Sequence, residues 1–300
     1  MERSVFPFSA IVGQDAAKQA LTIALVNPAA GGLLISGPKG TAKSTLVRAA
    51  ARFTATGRLA ELPIGATDDM VFGSLDMEAA LATGERRARP GLLLRAADTI
   101  LYMDEVNLLR PDFLAAVLDS AANGFFDLQR DGVSYREEVS YTAVGTMNPE
   151  EGDIRPQLLD RFALSVTVTG EHEPKDRVEV IRRRLAYEKD ADAFCGAYEA
   201  EQAKLAARIT AAQGRLEDVT VSEEILGKVA DMSIALGVDG HRADITVIKT
   251  ALTHAAFFER EEVTEEDLKA AAHLALPHRM RRRPFEDGAL DWAQVEKLLA

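Results

Sequence analysis

Residues 37–44 read Gly37-Pro38-Lys39-Gly40-Thr41-Ala42-Lys43-Ser44, and Thr45 follows. Glycines ahead of a Lys-Ser pair form the pattern of a phosphate-binding loop. In such a loop, backbone N–H groups and the N-terminus of the next helix surround phosphate oxygens. Lys43 then reaches the β- and γ-phosphates, and the Ser44 hydroxyl ligates Mg²⁺. Residues 37–45 are therefore the candidate nucleotide contacts, and the chemistry they imply is binding of a nucleoside triphosphate with Mg²⁺. One position departs from the pattern, because Ala42 stands where Gly is usual. At positive φ an Ala carries a steric cost. As the first residue of a helix it is favourable, and the sequence is read here in that second way.

Asp104-Glu105 closes the apolar run from Thr99 to Met103. Downstream of a phosphate loop, Asp104 is expected to hold Mg²⁺, directly or through water. Glu105 is expected to orient and polarise the attacking water. Asn148 follows the next apolar run, where its amide could bind the γ-phosphate or position that water. Arg161, in Leu158-Leu159-Asp160-Arg161-Phe162, could reach the nucleotide of a neighbouring subunit. A cation set against the spreading γ-phosphoryl charge can be worth ~10³–10⁵ in rate. The plainer alternative is an ion pair with Asp160, and Arg155 is a second candidate for the same interface. Arg242, at an expected helix start, could reach back to the nucleotide and report its state. Lys43, Glu105, Asn148, Arg161 and Arg242 make up the candidate catalytic set, and Ser44 and Asp104 the candidate metal ligands.

These residues need a frame. Gly31 to Ser36 reads as a buried strand before the loop, and Thr45 to Ala51 as the helix after it. Thr99 to Met103, Tyr141 to Thr146 and Ala163 to Val168 read as three more strands. Helical stretches separate them, such as Pro111 to Asn123, with Pro in its first turn and Gly124 just past its end. Strands alternating with helices imply an α/β fold with a doubly wound parallel sheet. Ligands of such sheets sit at the strands' C-terminal ends. After about Glu173 the pattern turns helical. A charged, Ala-rich stretch runs from Pro174 to about Gln213, with Gly214 expected to break it. Shorter amphipathic helices follow, with starts at Ser222 and Thr264. The expected division is an α/β core over 1–173, a helical connection over 174–214 and an all-helical C-terminal domain over 215–300.

Composition narrows the function classes. A net charge of −12 over 300 residues argues against broad nonspecific binding to nucleic acid or anionic membrane. A single cysteine, Cys195, excludes an intrachain disulfide framework and a Cys-cluster zinc site. No apolar run approaches the ~18 residues of a membrane span, and the N-terminus lacks a signal pattern. A cytoplasmic protein is expected.

Taken together, these motifs resemble the AAA+ ATPases, and most closely the family of the ATPase subunit I of magnesium chelatase. The resemblance runs from about Phe6 to Pro284 and is weakest between about 190 and 214. It rests on Phe6 to Gln14, Leu62 to Asp69, Gly73 to Asp76, Pro90 to Leu93 and Leu101 to Leu109. Its most specific blocks are Gly145-Thr146-Met147-Asn148-Pro149-Glu150-Glu151-Gly152 and Arg155 to Phe162. The resemblance implies a P-loop AAA+ core followed by a helical lid. It makes Asn148 sensor 1, Arg161 the arginine finger and Arg242 sensor 2, and it sets Ile11 to Gln14 beside the adenine. It also implies a hexameric homo-oligomeric ring with ATP between protomers. The ring's partners would be a D-type chelatase component, itself AAA+ with an integrin-like domain, and a large porphyrin-binding H-type component. The chain would supply ATP-driven work for Mg²⁺ insertion into protoporphyrin in (bacterio)chlorophyll synthesis. Two features depart from the family: Ala42, which is similar to MoxR-type ATPases, and a charged candidate hairpin over Leu128 to Ser140. They leave open a cobalt-chelatase-type or MoxR-like remodelling ATPase. A helicase-like motor would rest on Arg279, Arg281, Arg282 and Arg283, but no aromatic stacking platform accompanies them. A scaffold without hydrolysis conflicts with Lys43, Asp104, Glu105, Asn148 and Arg161 all being present.

Overall fold

The computed structural model describes residues 4–75, 88–130, 133–238, 240–279 and 295. Asp76, Arg281, Arg282, Arg283 and Pro284, named above, lie outside the described residues. The chain opens with helix α1 (Asp15–Val26), strand β1 (Gly32–Ser36) and helix α2 (Lys43–Ala50). Next come β2 (Leu59–Glu61), α3 (Asp68–Phe72), β3 (Gly73–Leu75), β4 (Ala88–Pro90), α4 (Leu92–Arg95) and β5 (Ile100–Met103). Helix α5 (Pro111–Asn123) leads to β6 (Phe125–Arg130), β7 (Val133–Glu138) and β8 (Thr142–Met147). Helix α6 (Pro156–Leu159) precedes the last strand, β9 (Phe162–Thr167).

Five of these strands form one parallel sheet in the order β2-β5-β8-β1-β9. The inner strands are apolar almost throughout because both faces are covered. Alternation sends Leu33 and Ile35 of β1 into the core on one face and Leu34 into the core on the other. The register fixes the site. Ser36 lies level with Met147, and Met103 with Gly145, so the C-terminal ends of β1, β5 and β8 open side by side. Here the chain order reverses, since β1 is followed at the far edge by β2 while β9 returns to its other side. Crevices at such reversals bind ligands. The edge strand β2 was not read from the sequence. The charged hairpin expected over Leu128 to Ser140 is present but begins and ends earlier, with β6 pairing antiparallel to β7 from Phe125 and Glu138 inward.

From α7 (Pro174–Lys189) the described chain is helical, through α8 (Ala191–Ala197), α9 (Glu199–Arg215), α10 (Glu223–Ala235), α11 (Arg242–Phe257) and α12 (Glu265–Ala275). The expected break at Gly214 is a correction, because α9 runs through it to Arg215. The interruptions fall earlier, at Asp190, whose side chain caps α8 through Ala193 N, and at Tyr198. Ser222 and Thr264 do start helices, and Thr264 forms a capping box with Asp267. Asp267 is fully buried. Burial opposes its charge, but hydrogen bonds from His254, Arg260 and Thr264 prevail and hold its carboxyl well below the usual range. The C-terminal helices share one hydrophobic cluster with α1, α2 and a face of the sheet, where Ile209, Val247 and Leu268 meet Leu21 and Val47. No helix among the described residues is long and apolar enough to cross a membrane.

Candidate functional site

The phosphate loop leaves β1 at Gly37, whose φ is +155°. A Cβ there would stand 2.2 Å from Val168 O, so only glycine lets the loop pass the end of β9. Gly40 turns at φ +83° in open space. Ala42 corrects the sequence reading. It adopts φ +63°, ψ +17° as the N-cap of α2, so it carries the left-handed strain instead of beginning the helix. The loop braces itself through Thr41 Oγ1, which donates to Pro38 O at 2.9 Å. Lys43 Nζ donates to Gly37 O and Pro38 O at 2.6 and 2.7 Å. Partial burial lowers the Lys43 pKa, and Asp104 opposes that shift.

A relay of hydroxyls joins the two candidate metal ligands. Tyr102 Oη lies 3.0 Å from Ser44 Oγ and 3.1 Å from Thr146 Oγ1. Thr146 Oγ1 in turn donates to Asp104 Oδ1 at 2.5 Å. Burial pushes the Tyr102 phenol up to about 12, so it stays protonated at neutral pH. Glu105 follows at φ +51°, a left-handed turn that takes the chain away from β5. Asn148 is 5% exposed at the end of β8, and its Oδ1 accepts from Glu150 N at 3.3 Å. Lys39, Gly40, Thr41, Ala42, Lys43, Ser44, Thr45, Asp104, Glu105, Asn148 and Glu151 line one cleft of about 350 Å³. Cations and N–H donors form one wall and carboxylates the other. This is the arrangement needed to hold a polyanion, a divalent cation and a water together.

The remaining candidates lie elsewhere. Gln14, at φ +57°, lines a neighbouring cleft of about 210 Å³ with Thr167 to His172. Its amide donates to Thr169 O at 2.7 Å and Glu171 Oε1 at 3.1 Å. Arg161 and Arg242 are absent from the residues lining either cleft. Arg161 pairs with Asp119 of α5, not with Asp160. Arg242, at the first turn of α11, faces the same Asp119 at 4.0 Å and Asp160 at 3.6 Å. Arg242, expected to reach back to the nucleotide, thus stands beside Arg161. Arg155 is exposed at the N-cap of α6. Arg279 is no surface cation, since its side chain is 2% exposed. It donates to the carbonyls of Phe162, Ala163 and Ala275 and to Asp160. Asp119, Thr146 and Tyr102 were not singled out from the sequence: Tyr102 and Thr146 lie inside family blocks but carry no role by residue type alone, and Asp119 lies in the middle of a helix, outside any block. Glu151 carried a signal, its place in the turn after Asn148.

Comparison with known proteins fits this geometry. The AAA domain (dynein-related subfamily) profile matches residues 32–162, and the AAA lid domain profile matches 227–298. The magnesium-chelatase 38 kDa subunit of Cereibacter sphaeroides is 40% identical over 98% of both chains. The chain belongs to the magnesium-chelatase I-subunit family of AAA ATPases. A magnesium-chelatase subunit ChlI homolog of Methanocaldococcus jannaschii is 42% identical over 98% of this chain and 91% of that protein. An uncharacterized protein of Mycobacterium tuberculosis is 50% identical over 98% of this chain, which spans 48% of that longer protein. Among solved structures, a model of the complex between subunits BchI and BchD of magnesium chelatase contains a chain 37% identical to this one. It matches with a TM-score of 0.54, covering 99% of this chain and 100% of that one. A putative ATPase of Cytophaga hutchinsonii, 19% identical with a TM-score of 0.69 over 97% of this chain and 91% of that one, shares the fold. Membership of this family makes the chain an ATPase with an AAA core and a helical lid.

Proposed function

We propose that this chain is the ATP-hydrolysing motor subunit of a magnesium chelatase. It would drive Mg²⁺ insertion into protoporphyrin IX together with a BchD-like partner and a large porphyrin-binding partner. The observation that carries this reading is the convergence of Lys43, Ser44, Asp104, Glu105 and Asn148 on one cleft, in a chain akin to chelatase I subunits over its length. The loop N–H groups and Lys43 would bind the triphosphate. Ser44 and Asp104 offer hard oxygen donors already joined through Tyr102 and Thr146, which suits Mg²⁺. When bound, that ion would neutralise charge on the phosphate oxygens. Glu105 would accept the proton of the attacking water at its carboxylate, and Asn148 would fix that water's position. Gln14 and the cleft beside it would receive the base. Because Arg161 and Arg242 share Asp119 away from the cleft, both would act on the nucleotide of a neighbouring subunit in a homo-oligomeric ring.

The test is formation of Mg²⁺-protoporphyrin from this protein, ATP-Mg²⁺, protoporphyrin and the two partner proteins. The wild type is expected to insert the metal. The Glu105→Gln variant is expected to bind ATP and to hydrolyse it at least ~10²-fold more slowly, with no insertion. Insertion by Glu105→Gln at the wild-type rate would refute the motor role. Hydrolysis without insertion by the wild type would instead assign the chain to cobalt chelation or to MoxR-like remodelling, the reading that Ala42 favours.

A further inference from the structure

The turn after β8 carries a carboxylate that this hydrolysis scheme leaves unused. Glu151 ends a one-turn 3-10 helix, Pro149–Glu151, and lines the cleft with Lys43, Glu105 and Asn148. Its N–H donates to Asn148 O at 3.0 Å, so it is tied to the residue that would position the water. Its side chain crosses to the phosphate loop, where Oε1 lies 2.5 Å from Lys39 Nζ. Its other oxygen, Oε2, is buried and has no hydrogen-bond donor among the described residues. The side-chain amide of Asn107, in the turn after Glu105, is likewise buried without a partner. That amide nitrogen lies 3.9 Å from where a Cβ on Gly152 would stand.

An exposed Lys–Glu pair adds little to stability by itself. This pair differs by its place. Its members sit on two loops that line the same cleft, and Lys39, whose side chain is 71% exposed, is drawn to that cleft by Glu151 first and by the Glu105 charge as well. The hydrogen bond and charge of Glu151 raise the Lys39 pKa, as expected where an ammonium and a carboxylate pair. A bare carboxylate at this position would repel a triphosphate, whereas a paired one presents no net charge. Buried acceptors in native proteins nearly always find donors, and Oε2 belongs to a side chain that lines the phosphate cleft.

We propose that Glu151 is a positioning residue for ATP hydrolysis: through Lys39 it holds the Asn148 turn against the phosphate loop, and its Oε2 accepts a hydrogen bond from water in the loaded cleft. This rests on the hydrolysis reading above. The test is a double-mutant cycle with Lys39→Met, Glu151→Gln and the double variant in the full-length protein. Steady-state ATPase, binding of a fluorescent ATP analogue and thermal melting are measured on each, with Lys43→Ala as a separate control. Glu151→Gln is expected to lower kcat about tenfold to hundredfold with analogue affinity near wild type. The double variant is expected to be no slower than the slower single, because both lose the same clamp. A kcat for Glu151→Gln within about twofold of wild type, or losses that multiply in the double, would overturn the inference. So would a loss of rate that merely tracks the melting temperature. Undiminished analogue binding by Lys43→Ala would instead overturn the hydrolysis reading itself.

Discussion

At the scale of single residues, the site depends on groups whose importance comes from what they join. Tyr102 projects from the interior of a buried strand, yet its hydroxyl touches both Ser44 and Thr146, and Thr146 holds Asp104. Thr146 commits its one proton to Asp104, so the phenol's proton goes to one of its two neighbours. Because burial raises the phenol to about 12, this relay does not titrate in the physiological range. Tyr102→Phe keeps the packing and removes the link. It is expected to cost about 1 kcal/mol of stability in urea unfolding. It should also raise the Mg²⁺ needed for half-maximal ATPase by about tenfold, as loss of an outer-shell partner does. An unchanged Mg²⁺ requirement would show that Ser44 and Asp104 hold their positions without the relay.

At the scale of elements, the inner strands were legible because each is a short apolar run that ends in a polar signal. Helix α5 was legible from Pro111 at its start and Gly124, at φ +77°, past its end. The edge strand β2 was not, because Leu59-Ala60-Glu61 is too short and too polar to show a period. Gly214 misled because glycine lowers helix propensity by only about 1 kcal/mol, which packing of α9 against α1 and α11 overrides. The phosphate loop, Asp104, Glu105 and Asn148 could be read as a set because each ends a parallel strand. The meeting of Asp119 with Arg161 and Arg242 could not, since no local pattern connects α5 to residues 42 and 123 positions further on. A similar long-range contact ties the segment after α12 to β9. There His278 Nε2 donates to Phe162 O at 2.8 Å, and Nδ1 is buried without a partner among the described residues. Burial first, and the adjacent Arg279 charge second, push the His278 pKa down to about 3. The unfolded chain takes up this proton below about pH 6.5 and the folded chain does not, so stability falls as pH drops from about 6.5 toward 3. His278→Gln keeps a donor and removes the titration. Its loss of stability between pH 7 and 5 should be smaller than that of wild type by about 1–2 kcal/mol in urea melts. Equal pH slopes for the two proteins would rule out this histidine as the source.

At the scale of the whole molecule, the chain keeps its phosphate cleft and its two candidate trans-acting arginines in different places. A contact that brings them together between copies is head-to-tail, the kind that closes into rings. Mixing tests this directly. Arg161→Ala has an intact cleft and Glu105→Gln an intact arginine, and each alone should be nearly inactive. Mixed in equal amounts, about one interface in four combines both intact partners, so ATPase should reappear at a corresponding fraction of wild type. A mixture as inactive as its parts would mean that each arginine serves its own subunit.

Five non-glycine residues among those described have positive φ, and three of them, Gln14 at 57°, Ala42 at 63° and Glu105 at 51°, border the two clefts. Each holds a conformation that glycine would take at lower energy. A library of variants sorted for heat resistance alone would therefore drift toward glycine at these three sites. Two of the winners would be durable proteins stripped of the proposed base contact or of the proposed catalytic carboxylate. The third, at position 42, would simply regain the residue that phosphate loops usually carry. Heat-resistant clones from such a screen would need an ATPase assay before any was taken as an improvement.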